Sequence, residues 1–287
     1  MSAPIAVLIC MRADDPESLA LEAVVSTASS LTSEDGIFLR IDGGCCCNPA
    51  AFQAAAAPAS LVLQEGEVAR GLAYGLNALV DEVLADSYWQ LLARMDSDDR
   101  SNPGRLERQR RWLETHIDVD ILGTACNEVD EKGALITYKA VPLAHRQIVE
   151  ALPRYNPINH PTVVIRRKVF ASGLRYRMNQ RRTEDYHLWI DAALAGYRFA
   201  NLPEPLLDFR RDTQFFRRRR GWHQASADAA VRWRAMVALK LWSPVNVVAI
   251  LAAFLTRIMP GFIQQYAYRA IRINPRSSDP CQVDSPR

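Results

Sequence analysis

Short apolar runs and helical patterns alternate along the first 125 residues of the chain. The runs cover residues 5–10, 37–41, 61–64 and 88–95, and the clearest helical spacing between them covers residues 72–84. Strands that alternate with helices in this way are typical of a parallel sheet whose crossover connections contain the helices. In such sheets ligands bind beyond the carboxyl ends of the strands. The pattern therefore predicts an α/β fold with a site at those strand ends.

The pattern becomes mixed after residue 100. Asn102-Pro103 has the residue types of a helix cap and first helical position, so we predict a helix that begins there. Residues 117–141 have the pattern of short strands around a turn at Lys132-Gly133. Residues 184–195 have the apolar spacing of an amphipathic helix, which Gly196 would end.

An uncharged stretch of sixteen residues lies between Lys240 and Arg257. A helix that spans a bilayer needs about 20 apolar residues, so this stretch is short for that purpose. Aromatic and arginine residues flank it, which favours a helix over residues 241–263 that lies in a membrane interface. A helix buried against the rest of the protein and a spanning helix are the other two interpretations.

Composition and charge narrow the classes of protein. The chain has 287 residues, of which 49% are apolar and 23% are charged, as is typical of a globular protein. A net charge of +3 gives little support to nucleic-acid binding, and few aromatic residues accompany the arginine run 217–220. An acidic and arginine-bearing segment follows the first apolar run at once, which argues against a secretory signal.

Three carboxylates follow the fourth apolar run, at Asp96, Asp98 and Asp99. Carboxylates this close repel one another unless a cation shares the space, and hard oxygen ligands suit Mg²⁺ or Mn²⁺. Such ions commonly bind one or two carboxylates together with substrate phosphates. A solvated loop before a helix is the alternative interpretation.

Two further segments carry candidate chemistry. Glu184 and Asp185 begin a predicted helix, where one carboxylate could deprotonate a hydroxyl as general base or merely form a charged first turn. His160 lies in a polar loop between Pro157 and Pro161, so a site role and a structural role are both open.

The motifs together resemble glycosyltransferase family 2. The likeness is to bacterial enzymes of exopolysaccharide, capsule and lipopolysaccharide assembly, including the amylovoran-biosynthesis type, and it extends to about residue 272. The matching segments are Gly71–Asn77, Ala93–Asp99 with Pro103, Arg105 and Gln109, Asn156–Thr162, Glu184-Asp185-Tyr186 with Leu188 and Trp189, and Gly196 with Asn201–Glu204 and Arg210.

This resemblance implies a fold, a reaction and a set of site residues. The fold would be GT-A, a Rossmann-like mixed sheet flanked by helices, over residues 1–212. A basic, amphipathic helical extension over 213–273 and a disordered tail over 274–287 would follow. The reaction would be an inverting transfer of a sugar from a nucleoside-diphosphate sugar to an acceptor hydroxyl.

The implied residue roles are as follows. Asp185 would be the catalytic base with Glu184 beside it, and Asp98 with Asp96 would bind Mn²⁺ or Mg²⁺. Arg217–Arg220 would hold the diphosphate or anionic lipid head groups. The residues that would bind the nucleotide sugar are Asp42, Asp96, Arg70, Asn77, Arg94, His160 and Trp189.

The expected setting is surface-polysaccharide assembly on a lipid carrier, with the protein peripheral on the cytoplasmic face of the plasma membrane. The loops after the first two strands depart from the family at residues 11–15 and 42–45, which leaves the nucleobase open. Two alternatives remain. One is a GT-A domain without activity that serves as a membrane scaffold or glycan-binding module, and the other is a nucleotidyltransferase, although the chain lacks a glycine-rich loop after the first strand.

Overall fold

The computed structural model describes residues 2–44, 47–180, 182–212 and 221–259. The strands in these residues are β1 (Ile5–Arg12), β2 (Gly36–Asp42), β3 (Ser60–Gly66), β4 (Leu91–Asp96), β5 (Arg100–Ser101), β6 (Ile121–Val129), β7 (Leu135–Lys139), β8 (Val164–Arg166) and β9 (Phe199–Arg210). The helices are α1 (Glu17–Ala28), α2 (Pro49–Ala56), α3 (Leu72–Ala85), α4 (Arg105–Thr115), α5 (His145–Ala151), α6 (Arg167–Ala171), α7 (Glu184–Leu194), α8 (Trp222–Ala238) and α9 (Pro244–Ile258). The predictions for Arg217–Arg220 and for the 274–287 tail lie outside the described residues.

One sheet contains all of these strands, in the order β3-β2-β1-β4-β8-β6-β9-β5, with β7 paired to β6. The first four strands are parallel, as the alternation of runs predicts. β8 lies antiparallel to both β4 and β6, so the sheet as a whole is mixed. The chain moves outward from β1 to β2 and β3, and then crosses to β4 on the other side of β1. This reversal creates a crevice beyond the carboxyl ends of β1 and β4.

Helices cover both faces of the sheet. Along β1 the side chains of Ile5, Val7 and Ile9 enter one buried cluster, and those of Ala6 and Leu8 enter a second cluster on the opposite face. A strand that is buried on both faces needs apolar residues at every position, which explains why β1 reads as a continuous apolar run. Burial on two sides also fixes the register of β1, and with it the positions of the loops that follow the central strands.

The helix predicted from Asn102-Pro103 begins later than the cap residues indicate. α4 starts at Arg105, and Gly104 before it has a φ of 75°. The side chain of Asn102 donates instead to the carbonyl oxygen of Pro205 at 2.7 Å. The prediction of the start was therefore wrong, because the left-handed residue Gly104 delays the helix and the side chain of Asn102 bonds to β9.

The C-terminal helices α8 and α9 pack against each other as an antiparallel pair. α9 buries only Asn246 and Ile250, so the interpretation of this segment as a buried helix does not fit. Among the described helices none is long and apolar enough to cross a bilayer.

Candidate active site

A cavity of about 440 Å³ lies beyond the carboxyl end of β4. Six carboxylates and six cations line it, which suits a ligand that carries negative charge together with a metal ion. Its acidic residues are Asp96, Asp98, Glu128, Glu184, Asp185 and Asp228, and its basic residues are Arg94, Lys139, Arg182, Arg210, Arg232 and Arg257. Of the predicted site residues, those that line this cavity are Arg94, Asp96, Asp98, His160, Glu184 and Asp185.

The acidic cluster follows β4 directly. One carboxylate oxygen from each of Asp96, Asp98 and Asp99 lies within 4.8 Å of the other two. Asp99 is buried, and its Oδ1 accepts a hydrogen bond from the backbone N–H of Arg210 at 2.9 Å. Its other oxygen, Oδ2, is buried without a hydrogen-bond partner. This orphaned oxygen and the crowding of like charges fit a divalent cation with hard oxygen ligands.

The pKa values of the cluster reflect its crowding. Burial, followed by the charges of Asp96 and Asp98, raises the pKa of Asp99 well above its ordinary value. Loss of hydration and the charge of Asp96 raise the pKa of Asp98 to about 6. Asp98 and Asp99 therefore resist ionisation in this structure, and a bound cation would favour their ionised forms.

Arg94 provides a buried positive charge beside this cluster. Its side chain is only 4% exposed and forms an ion pair with Asp96. Burial alone would lower the pKa of Arg94, but the charge and hydrogen bond of Asp96 raise it above its ordinary value. Nε and Nη1 of Arg94 are buried without hydrogen-bond partners, and the residue lines the cavity. These donors fit an anionic or hydroxyl-bearing ligand, because a buried cation without partners is costly.

Arg105 and Gln109, both on α4, support this region from behind. Arg105 is fully buried and donates to the carbonyl oxygen of Arg94 at 2.8 Å. Gln109 donates to the carbonyl oxygens of Leu122 and Thr162 at 3.2 and 2.8 Å. These two motif residues therefore hold β4, β6 and the 160–162 loop together and do not contact the cavity.

Glu184 and Asp185 begin α7 and also line the cavity. The amide of Asn156 donates to Oδ2 of Asp185 at 2.7 Å, which fixes the orientation of this carboxylate. Burial raises the pKa of Asp185, while hydrogen bonds, including the one from Asn156, act against the increase. Burial and then the charge of Asp185 raise the pKa of Glu184 to about 7. Both carboxyl groups are therefore more basic than usual, as a general base near neutral pH should be.

Asp42 lies at the end of β2 and binds the start of α3. Its carboxylate accepts hydrogen bonds from the backbone N–H groups of Arg70 and Gly71, the shortest at 2.7 Å. The guanidinium of Arg70 stacks on the ring of Tyr74 at 3.6 Å. Asp42 and Arg70 do not line the cavity. A nucleoside that contacts them would therefore lie partly outside the cavity.

Asn77 and His160 are connected through Tyr176. The amide of Asn77 exchanges hydrogen bonds with the backbone of Tyr176, at 2.8 and 2.9 Å. The hydroxyl of Tyr176 lies 3.0 Å from Nε2 of His160. Burial, with a further contribution from Arg94, lowers the pKa of His160 well below its ordinary value, so its ring is neutral at pH 7. Asn77 therefore positions the loop that supports His160, and it does not line the cavity.

Trp189 lies in the core of the protein. Its side chain is 0% exposed and does not line the cavity, but its ring packs edge to face on that of His160, with the centroids 6.0 Å apart. The family resemblance implies a role for Trp189 in binding the nucleotide sugar, and the burial of its ring shows that it also packs in the core.

Replacement of Trp189 with alanine should therefore destabilise the fold, at a cost of about 3–5 kcal/mol because a large buried cavity remains. Trp189→Phe should cost less. Urea unfolding followed by circular dichroism measures both variants. A Trp189→Ala protein with unchanged unfolding and impaired ligand binding would instead assign this residue to the site.

Helices α8 and α9 contribute a part of the cavity that the sequence did not predict. Gln224, Asp228, Arg232 and Arg257 line it, and Asp228 pairs with both Arg232 and Arg257 at 2.8 Å. One signal could have identified this group: Asp228 is the only acidic residue in the sequence between positions 213 and 278. A lone carboxylate in a basic, apolar segment needs a partner and is a candidate for a specific role.

Comparisons with known proteins give relatives along most of the chain, although no family profile matches it. The amylovoran biosynthesis glycosyltransferase AmsE of Erwinia amylovora is 32% identical over 213 residues, which are 74% of this chain and 77% of AmsE. An Escherichia coli protein named UDP-Gal:alpha-D-GlcNAc-diphosphoundecaprenol beta-1,3-galactosyltransferase is 25% identical over 69% of this chain and 71% of its own length.

Solved structures resemble the fold of the chain. Residues 1–349 of Staphylococcus aureus TarS in complex with UDP-GlcNAc superpose with a TM-score of 0.59 and 16% identity, over 88% of this chain and 72% of that one. A longer TarS chain is covered over only 43% of its length. The mannosyltransferase PcManGT of Pyrobaculum calidifontis, in complex with GDP-Man and Mn²⁺, has a TM-score of 0.52 and 15% identity, over 94% and 81% of the two chains.

Proposed function

This chain belongs to the glycosyltransferases of bacterial polysaccharide biosynthesis and has a GT-A-like fold, and on that premise we propose that it is a metal-dependent, inverting enzyme of family 2. It transfers a sugar from a nucleoside-diphosphate sugar to an acceptor hydroxyl. The observation that carries the proposal is that one cavity holds both the acidic cluster after β4 and the Asn156–Asp185 pair at the start of α7.

The donor side of the proposed site is the acidic cluster with Arg94. Asp98 and Asp96 are the proposed ligands of Mn²⁺ or Mg²⁺, and the orphaned oxygen of Asp99 supports a cation at this position. When bound, the ion neutralises the charge that develops on a departing nucleoside diphosphate. The unpartnered donors of Arg94 bind the same diphosphate or the sugar that it carries.

The acceptor side of the proposed site is α7. Asp185 removes the proton of the acceptor hydroxyl as that oxygen forms a bond to the anomeric carbon, and the bond from this carbon to the diphosphate breaks on the opposite face. One base is sufficient for a single displacement, which inverts the anomeric configuration. Asn156 holds Asp185 in place, and burial raises the pKa of both Asp185 and its neighbour Glu184.

A lipid-linked glycan is the proposed acceptor. The name of the Escherichia coli relative describes a sugar on diphosphoundecaprenol as its substrate, which supports an acceptor of this kind here. Such acceptors lie in a bilayer, so the enzyme would act as a peripheral protein on the cytoplasmic face of the plasma membrane.

Calorimetric titration with UDP, GDP and dTDP, each with Mn²⁺ and with EDTA, tests the donor side of this proposal. One of the three nucleotides should bind in Mn²⁺ and lose at least about tenfold in affinity in EDTA, since the ion contributes several kcal/mol of charge stabilisation. The nucleotide that binds identifies the base of the donor.

Folded protein that binds none of the three nucleotides in Mn²⁺ would contradict the proposal. The chain would then be a GT-A domain without activity, with a scaffold or glycan-binding role. Binding of a nucleoside triphosphate in place of the diphosphates would favour a nucleotidyltransferase.

A further inference from the structure

An apolar stripe follows the outer face of α9. Val245, Val248, Leu251, Leu255 and Ile258 are all exposed, and their spacing of three and four residues places them on one side of the helix. Val248 is 64% exposed and Leu251 is 57% exposed. The opposite side of α9 packs on α8, so the stripe faces away from the fold. A continuous exposed stripe of this kind marks an interaction surface.

Aromatic pairs lie at both ends of the α8–α9 pair. Trp222 packs edge to face on Phe254, with the ring centroids 5.1 Å apart. Trp233 packs in the same way on Trp242 at 5.6 Å. The three tryptophans are exposed. Indole rings have an apolar body and a polar N–H group, and they favour the boundary between hydrocarbon and water.

The charge of this part of the chain has one sign. Between residues 213 and 278 the sequence contains eleven arginines and lysines, and Asp228 is the only acidic residue. Asp228 is buried and paired with Arg232 and Arg257, so it adds no negative charge to the surface. Lys240 is exposed in the turn between the helices, close in sequence to Trp242. An exposed apolar helix face within a segment whose charges have one sign complements an anionic lipid bilayer.

We propose that α8 and α9 dock the protein on an anionic lipid bilayer, with α9 parallel to the membrane plane and its apolar stripe among the acyl chains. A second copy of the chain is a less suitable partner, because two segments whose sequences carry the same sign of charge would repel each other. The same helices contribute Gln224, Asp228, Arg232 and Arg257 to the cavity. Docking therefore brings that wall of the cavity to the membrane. Such a position would give a lipid-linked acceptor access to the cavity, and this benefit rests on the proposed function.

Sedimentation of the full chain with vesicles tests this inference. The protein should bind vesicles of phosphatidylglycerol and phosphatidylcholine, and bind vesicles of phosphatidylcholine alone more weakly, since only the former attract cations. The double variant Val248→Glu with Leu251→Glu should bind the anionic vesicles about tenfold more weakly or worse, because it places two charges in the apolar stripe. The matched control is Ile117→Glu with Leu135→Glu, which alters two exposed apolar residues elsewhere and should bind as the wild type does.

Light scattering and calorimetry separate the outcomes. The inference would be overturned if the wild-type protein failed to bind anionic vesicles, or if the double variant bound them as strongly as the wild type. A wild-type dimer that the double variant dissociates, without vesicle binding, would assign the stripe to a second copy and would also overturn it. Nucleotide binding in Mn²⁺ is measured on the same variants, so loss of docking with intact nucleotide binding leaves the proposed function standing.

Discussion

Replacement of Asp185 with asparagine should lower kcat by about 10²–10⁴-fold, the range that loss of a general base produces. The amide of asparagine fills nearly the same volume and can still contact Asn156, so the fold should remain intact. The measurement is release of the nucleoside diphosphate with donor and acceptor present. Asp118→Asn is the matched control, because Asp118 is exposed and lies outside the cavity lining.

The pH profile gives an independent test of the same residue. A base must be ionised, so kcat/KM should fall as the pH decreases through the raised pKa of Asp185. The acid limb of the profile should therefore lie above the ordinary aspartate pKa of about 4. If Asp185→Asn retains activity and Glu184→Gln loses it, with an acid limb near pH 7, Glu184 is the base and the assignment to Asp185 is wrong.

Replacement of Asp98 with alanine should weaken Mn²⁺-dependent nucleotide binding by about 100-fold or more, since removal of a carboxylate ligand leaves the ion with fewer contacts and less neutralising charge. Calorimetry with the nucleotide identified for the wild type measures the effect, and Asp118→Ala is the control. Asp98 is a better choice than Asp99, because Asp99 also accepts a hydrogen bond from the backbone of Arg210. Loss of Asp99 would combine a binding defect with a folding defect.

Nucleotide affinity that is the same in Asp98→Ala and the wild type, at equal Mn²⁺ concentration, would refute the role of Asp98 as a ligand. The acidic cluster would then be a charged loop, and Arg94 would remain as the principal anion-binding group on the donor side.

The parts of the fold that the sequence predicts well are those in which local pattern and tertiary environment agree. β1, β2 and β4 are buried on both faces, so their apolar runs are continuous and easy to identify. β9 was not predicted as a strand. Its segment contains Pro203 and Pro205, which indicate a loop, and it pairs with β6 only through an irregular register. That pairing depends on β6, which lies more than seventy residues earlier in the chain. The local sequence of β9 therefore cannot show that it pairs there.

The residues of the site likewise divide into those that the sequence predicts and those that it does not. The acidic cluster could be found from the sequence, because three carboxylates at a strand end are unusual wherever they occur. The use of Asp42 could not be found, since its partners are backbone N–H groups that carry no sequence signal. The burial of Trp189 depends on which face of α7 turns towards the core, and the motif that contains it places polar and apolar residues on both faces.

Because α8 and α9 form one wall of the cavity, a division of the chain after residue 212 does not separate the cavity from the C-terminal helices. A boundary after residue 212 follows composition, because the basic, apolar segment begins there. Residues on both sides of that boundary line the cavity. Those on its C-terminal side are Gln224, Asp228, Arg232 and Arg257. A chain shortened at the boundary would therefore lack one wall of this cavity. Substitutions on the inner face of α8 can therefore reshape that cavity while the strands and the acidic cluster stay unchanged.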